Sequence, residues 1–194
     1  TIADAEVERL QRRTKLVDVK WQTENGEELI ISTTRPELIC ACGIVVVHPD
    51  DERYKHLIGK KAMLPLPVEG REISVEISTH PSVKSEFGSG ILMVCSFGDQ
   101  NDVAVFRELG LTPFQAIDLD GCMTSIAGPF AGMKVAEARK SVIEHLENEG
   151  KIHQIVEKEQ EVPVSERGKN PVEIILLKEW YVRQTHIQDR ITEL

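Results

Sequence analysis

The 194-residue sequence is poor in aromatics, at 5%, and holds only four cysteines. It has no long apolar run: candidates such as 44–47 and 174–177 are strand-length against the about 20 residues of a bilayer-spanning helix, so the chain reads as soluble, with no membrane partner. No signal-peptide pattern opens it, and a start at Thr1 points to a processed product or an excised piece. Cys40, Cys42, Cys95 and Cys122 contain no CxxC pair, which at this length argues for reduced thiols in a cytoplasmic setting rather than a disulfide framework. Cys40-x-Cys42 shares one strand face but lacks partners at zinc-site spacing, and the six histidines form no HExxH. Asp118-Leu119-Asp120-Gly121 begins like a calcium loop, lacks its third ligand and closing Glu, and reads as a turn. There is no Gly-x-Ser-x-Gly elbow, Walker loop, dinucleotide fingerprint or Cys with a His partner, so neither redox nor phosphoryl chemistry is supported. An enzyme built on this sequence is left with hydrolysis by a positioned water. Positive charge is also short: 23 Lys and Arg stand against 32 Asp and Glu, a formal net charge of −9 that argues against a stand-alone grip on nucleic acid.

What is present is a series of short strands with a few helices. Segments 15–21 and 28–33 flank Asn25-Gly26, a dipeptide suited to the positive φ angles of a tight hairpin. The β-branched run 41–47 predicts a strand buried on both faces, and Pro49-Asp50-Asp51 opens a short helix closed by Gly59. Segments 61–66 and 71–77 form a second hairpin-like pair, and 91–95 is another buried strand. A helix over 99–109, capped by Asp99 and stopped by Gly110, presents Val103, Phe106 and Leu109 on one face. The strongest helix is 135–149, with Val135, Ala138, Val142, Ile143 and Leu146 forming its apolar stripe. Strands at 152–156 and 172–177 are expected to bracket a polar stretch, 157–170, and 185–194 reads as a weakly helical tail. With no repeat or linker, the expected architecture is one α/β or α+β domain with a β-rich core.

Two segments concentrate polar groups beside buried strands. In Ser32-Thr33-Thr34-Arg35-Pro36-Glu37, Pro36 cannot continue a ladder, so hydroxyls, a cation and a carboxylate fan out at a strand end. Thr is equally an ordinary strand residue and Arg-Pro a common route into a loop, so structure alone accounts for the segment as well as function does. The second runs from Glu86-Phe87-Gly88-Ser89-Gly90 through the 91–95 strand to Gly98-Asp99-Gln100-Asn101-Asp102. Its Gly-x-Gly permits close approach, Phe87 offers an aromatic face, and two carboxylates stand at a helix start. Asp99 is explained by capping; Asp102, aimed into a cleft, is a good receptor for an ammonium group.

In order, Thr33-Thr34-Arg35-Pro36-Glu37, the strand 44–48 with Pro49-Asp50-Asp51-Glu52-Arg53-Tyr54, Phe87-Gly88-Ser89-Gly90, Gly98-Asp99-Gln100-Asn101-Asp102, Gly121-Cys122-Met123-Thr124, Glu137-Ala138-Arg139, Glu166-Arg167 and Glu173-Ile174-Ile175 resemble the editing domain of valyl-tRNA synthetases. The resemblance covers most of the chain, and the Glu37-Leu38 and Cys95-Ser96-Phe97-Gly98-Asp99 variants look archaeal. It implies a β-barrel-like core with peripheral helices, a single editing domain over 1–194, and 1–14 and 178–194 as connections to a class I catalytic domain in cis. It implies hydrolysis of mischarged Thr-tRNA(Val) on the tRNA 3′ end, by a monomer, with no metal, cofactor or protein nucleophile. The need is physical: this family is itself the standard example of a hydrophobic pocket that rejects a near-isosteric hydroxyl by only about a hundredfold.

Carried across by position, Asp102 holds the substrate ammonium, Asp99 supports it, Thr33, Thr34 and Arg35 line the ester and terminal ribose with Glu37 beside them, and Phe87 stacks on the terminal adenine. The sequence departs from the bacterial pattern at Leu38, Met93 and Cys95, which replace hydrogen-bonding residues, so recognition of the threonine hydroxyl falls to Asp102, Asp99 or backbone groups. Isoleucyl enzymes have Thr-Pro-Trp where this chain has Arg35-Pro36-Glu37, and leucyl enzymes tend to have Asp at the place of Glu37. A sister isoleucyl or leucyl editing domain and a non-catalytic module that docks a tRNA end are the alternatives.

Overall fold

A computed structural model describes residues 6–178 and 180. The strands are β1 (Val7–Thr23), β2 (Glu28–Thr33), β3 (Cys42–Val47), β4 (Lys61–Met63), β5 (Ser74–Thr79), β6 (Ile91–Cys95) and β7 (Ile152–Ser165); the helices are α1 (Gln100–Glu108) and α2 (Val135–Asn148). Short 3₁₀ turns at Pro36–Ala41, Glu52–Leu57 and Ser125–Phe130 link them. The sheet runs β2-β1-β4-β5-β3-β6, with β7 also on β1, and every pair is antiparallel except β3 with β5. It curls until its edges β2 and β6 approach each other, while no ladder joins them among the described residues. The expected β-barrel-like core is therefore a curled half-barrel, and the class is α+β.

Period-two alternation fills the inside. Val17, Val19 and Trp21 of β1 and Leu29 and Ile31 of β2 are buried, and the Asn25-Gly26 hairpin holds them in register, with Gly26 at φ +82°. On β3 both faces are covered, as its β-branched run predicts: Val45 and Val47 face the main core, while Ile44 and Val46 pack with Val94, Val105 and Phe106 under α1. Gly43 makes that seat possible, because a Cβ there would lie 2.3 Å from the Phe106 ring. The α2 stripe of Ala138, Val142, Ile143 and Leu146 is buried as expected, and truncating Leu146 to Ala should cost about 2–5 kcal/mol.

Three expectations change. The buried residues of α1 are Val105 and Phe106, whereas Leu109 is 38% exposed and Val103 only half-buried. The inward face is the i, i+3, i+4 set beginning at Asp102, so the helix points that carboxylate, and not Val103, toward the sheet. The polar stretch 157–170 is mostly strand: β7 continues to Ser165, pairing with β1 from Val7↔Ser165 to Val19↔Ile152. Polar residues on both faces of this ribbon leave no apolar period to read. Segment 172–177, expected as a strand, has no ladder beyond its start and lies as an extended strap that packs Ile175 on the core. Residues 185–194 and the outer parts of the expected connections lie outside the described residues, while the rest of 1–14 forms the first half of β1 from Val7 on.

Candidate functional site

Chain chemistry at the end of β2 builds the first half of the site. The Arg35 N–H donates to Thr33 Oγ1 at 3.0 Å, which turns the chain out of the ladder, and Pro36 opens the 3₁₀ turn. The turn swings Glu37 inward until it is 1% exposed. Arg35 Nε donates to Glu37 Oε1 at 3.2 Å, and Arg139 of α2 approaches from the other side, its Nε to Oε2 at 2.9 Å and its Nη2 to Oε1 at 2.7 Å. Arg35 also donates from Nη1 to Gly98 O at 3.0 Å and from Nη2 to Glu173 on the 172–178 strap. Burial works against charge on both guanidiniums, and the carboxylates around them more than offset it, so Arg35 and Arg139 both stay above the ordinary arginine pKa.

The second half forms where β6 gives way to α1. Asp99 caps the helix by accepting the Asp102 N–H at 2.8 Å, as its position predicts. Asp102, in the first turn, folds its carboxylate back over Gly98, where a Cβ would fall 2.1 Å from Oδ2. Its partners among the described residues are backbone donors, the Cys95 N–H at a long 3.4 Å and the Asp99 N–H. Burial, then the facing charge of Asp99, push the Asp102 carboxyl up to about 7, and the Cys95 N–H and Arg35 pull back only in part. A half-buried acid without a cation of its own is a receptor for an ammonium group or a holder of water.

Phe87 stands on a separate wall, 44% exposed. The loop carrying it is fastened by Arg53, which donates to Ser85 O, and by Tyr54, whose hydroxyl donates to Ser89 O at 2.6 Å. Gly88, at φ +57°, presses on Ser32 of β2, where a Cβ would sit 2.4 Å from the hydroxyl. Lys158 of β7 lies 3.8 Å from the centre of the Phe87 ring, and two residues along the same ribbon Gln160 donates to Thr34 Oγ1 at 3.4 Å.

Arg35, Glu37, Asp99 and Asp102 thus come together around Gly98, whereas Thr34 and Phe87 share the β7 side; Thr33 joins the two groups. Both Glu37 oxygens are held by guanidiniums, which gives this residue an architectural task. Sequence reasoning gave no site role to Arg139 and Glu173, which it met only as landmarks of the resemblance, nor to Lys158 and Gln160; their partners lie 71 to 138 residues away in the chain. Leu38, Met93 and Cys95 are buried, and the Cys95 thiol donates to Leu38 O at 3.3 Å. Burial pushes the Cys40 thiol up to about 12, and Cys42 and burial raise Cys95 well above its usual range, so both are held as neutral thiols.

No family model matches the chain. Among solved structures it is similar to the LeuRS of Agrobacterium radiobacter K84, captured in a ternary complex with tRNA and LeuAMS, with a TM-score of 0.54 over 79% of this chain and 20% of that one at 16% identity. The fold is that of a segment of this LeuRS. In sequence, the chain is 43% identical over 197 residues to the valine–tRNA ligase of Aeropyrum pernix, covering all of this chain and 23% of that protein. The values are 43% over 194 residues, with 22% of the relative covered, for Methanocaldococcus jannaschii, and 44% over 184 residues, with 20% covered, for Archaeoglobus fulgidus. The chain belongs to the valyl-tRNA synthetase family, and it spans about a fifth to a quarter of the length of the curated relatives it matches.

Proposed function

We propose that this domain performs post-transfer editing, hydrolysing the ester of Thr-tRNA(Val). The observation that carries the reading is Asp102: a half-buried carboxylate with no cation of its own, held at the N-terminus of α1 beside Arg35 and a strand end bearing two threonines. An α-ammonium gives Asp102 the charge it lacks, and the ionised acid gains a charge-assisted bond. Thr33 and Thr34 line the ester and ribose, Arg35 holds the loop beneath them, and the free ring face of Phe87 takes the terminal adenine by stacking. A water positioned over the ester, helped by the vicinal ribose hydroxyl, makes the attack.

Leu38, Met93 and Cys95 are buried in the core and bring no strong hydrogen-bonding group to a hydroxyl, so threonine is read by Asp102, whose carboxylate has only backbone N–H partners among the described residues. Valine in the same place leaves that acceptor unpaired, a loss that favours hydrolysis of the threonyl ester. The net charge of −9 fits a domain that grips only the terminal adenosine and its amino acid and leaves the tRNA body to the rest of a longer synthetase.

The test is deacylation of tRNA charged with Thr, Val or Ile by the purified chain and by Asp102→Ala. The reading expects threonine release from the parent, loss of it in the variant, and slow release of the other two. Preferential release of isoleucine or valine makes this a sister editing domain; tight binding of a non-hydrolysable threonyl-adenosine without turnover of any ester makes it a binding module.

A further inference from the structure

We infer that Arg139 and Glu173 are positioning residues that set the place and the electrostatic surroundings of the Asp102 carboxylate, acting through Arg35. The inference rests on the editing reading only where activity is measured. The three nitrogens of Arg35 each bind a different segment: Nε goes to Glu37 in the 3₁₀ turn, Nη1 to Gly98 O in the loop before α1, and Nη2 to Glu173 on the strap. A guanidinium is a rigid planar fork, so two of these bonds fix the direction of the third. Glu37 is in turn locked by the two-point contact of Arg139. Gly98, the residue that Arg35 holds, is the one on which Asp102 rests, close enough that a Cβ would collide with Oδ2. The path Arg139–Glu37–Arg35–Gly98–Asp102 is therefore continuous contact from α2 to α1, with Glu173 entering at Arg35.

The charges balance, and the balance can be tipped either way. Asp102 is faced by Asp99 from its own turn, by Arg35 from the end of β2 and by the Cys95 thiol from β6; behind Arg35 stand Glu37, Arg139 and Glu173. Two arginines meet two glutamates. Removing the charge of Arg139 leaves Glu37 to Arg35 alone and makes the surroundings of Asp102 more negative. Removing the charge of Glu173 leaves Arg35 with surplus positive charge near Asp102. The two changes act in opposite directions, which a general loosening of the fold cannot imitate.

The experiment follows the titration of Asp102 by carboxyl carbon NMR in the whole chain, its signal assigned by its absence in Asp102→Asn. The Asp102 midpoint should rise by about half a unit to one unit in Arg139→Gln and fall by a similar amount in Glu173→Gln, with Arg139→Lys close to the parent. On Thr-tRNA(Val), Arg139→Gln should lower kcat about tenfold with KM little changed, and its pH profile should move with the NMR midpoint. Midpoints that stay within about 0.2 unit of the parent, or that move in the same direction in both variants, overturn the inference. If Arg139→Gln does not fold, Glu173→Gln decides, since that side chain is 21% exposed and its removal breaks no buried pair from inside. Opposite shifts in a chain that releases no threonine refute the editing reading alone; threonine release with unmoved midpoints refutes the positioning role alone.

Discussion

Two turns of this molecule each bury a carboxylate and treat it in opposite ways. After β2, Glu37 is sealed from solvent and receives three N–H bonds from two guanidiniums. In the first turn of α1, Asp102 has only backbone N–H partners among the described residues, from Cys95 at a long 3.4 Å and from Asp99, and faces another acid. Arg35 touches Glu37 directly and reaches Asp102 only through Gly98. Burial therefore does not mark the reactive group; burial without compensation does.

Removing the compensated acid should do the greatest damage. Glu37→Ala leaves two half-buried guanidiniums without their shared, fully buried partner and is expected to lower unfolding free energy by about 3 kcal/mol in urea titration. A loss below about 1 kcal/mol would show that the pair is not the clamp its geometry describes. Removing the uncompensated acid should spare the fold and strike the chemistry: Asp102→Ala is expected to slow threonine release about 100-fold or more, with a Tm at pH 8 no lower than the parent's.

The pH dependence sharpens the contrast. The Asp102 carboxyl titrates near 7 in the folded chain against an ordinary 3.8, so the native state holds this proton more firmly than the unfolded one. Its contribution to stability is complete below about 4 and is lost as pH rises through 7. Asp102→Asn should flatten that decline and leave the variant more stable than the parent at pH 8, by up to about 4 kcal/mol, measured by denaturant melts across pH. Threonine release should climb over the same interval as the acid ionises. The smallest effect belongs to the open wall: Phe87→Ala should weaken binding of a threonyl-adenosine analogue by about 1–3 kcal/mol in calorimetry while the unfolding midpoint stays in place.

Much of the fold was legible because local pattern and packing agree. Strand 91–95 matches β6 end for end, the Asn25-Gly26 hairpin is present, and the α2 stripe is the one its spacing predicts. Legibility failed where local signal and environment part company. The second half of β7 carries Glu159 and Glu161 on one face, only Val162 and Val164 as apolar residues on the other, and Pro163 between them, so little in it reads as strand; the long partner β1 creates it. The apolar strap 172–178 has the composition of a strand but meets no free edge. At the site, Asp99 as a cap and Asp102 turned inward follow from their spacing at a helix start. The roles of Glu37, Arg139 and Glu173 do not, since Glu37 and Arg139 are separated by 102 residues and a single sequence carries no trace of their contact.

The β1–β7 ribbon also has a meaning in time. From Val7 to about Leu16, β1 has β7 as its ladder partner, while β2 begins to pair only at Val17. As the chain is synthesised, this edge therefore stays bare until about 150 more residues have been made. Glu8, Arg9, Arg12, Arg13 and Lys15 crowd that stretch with charge, and a charged edge is a poor template for a second chain. The charge on the β1 half of the ribbon thus keeps the half-finished domain from pairing with its neighbours.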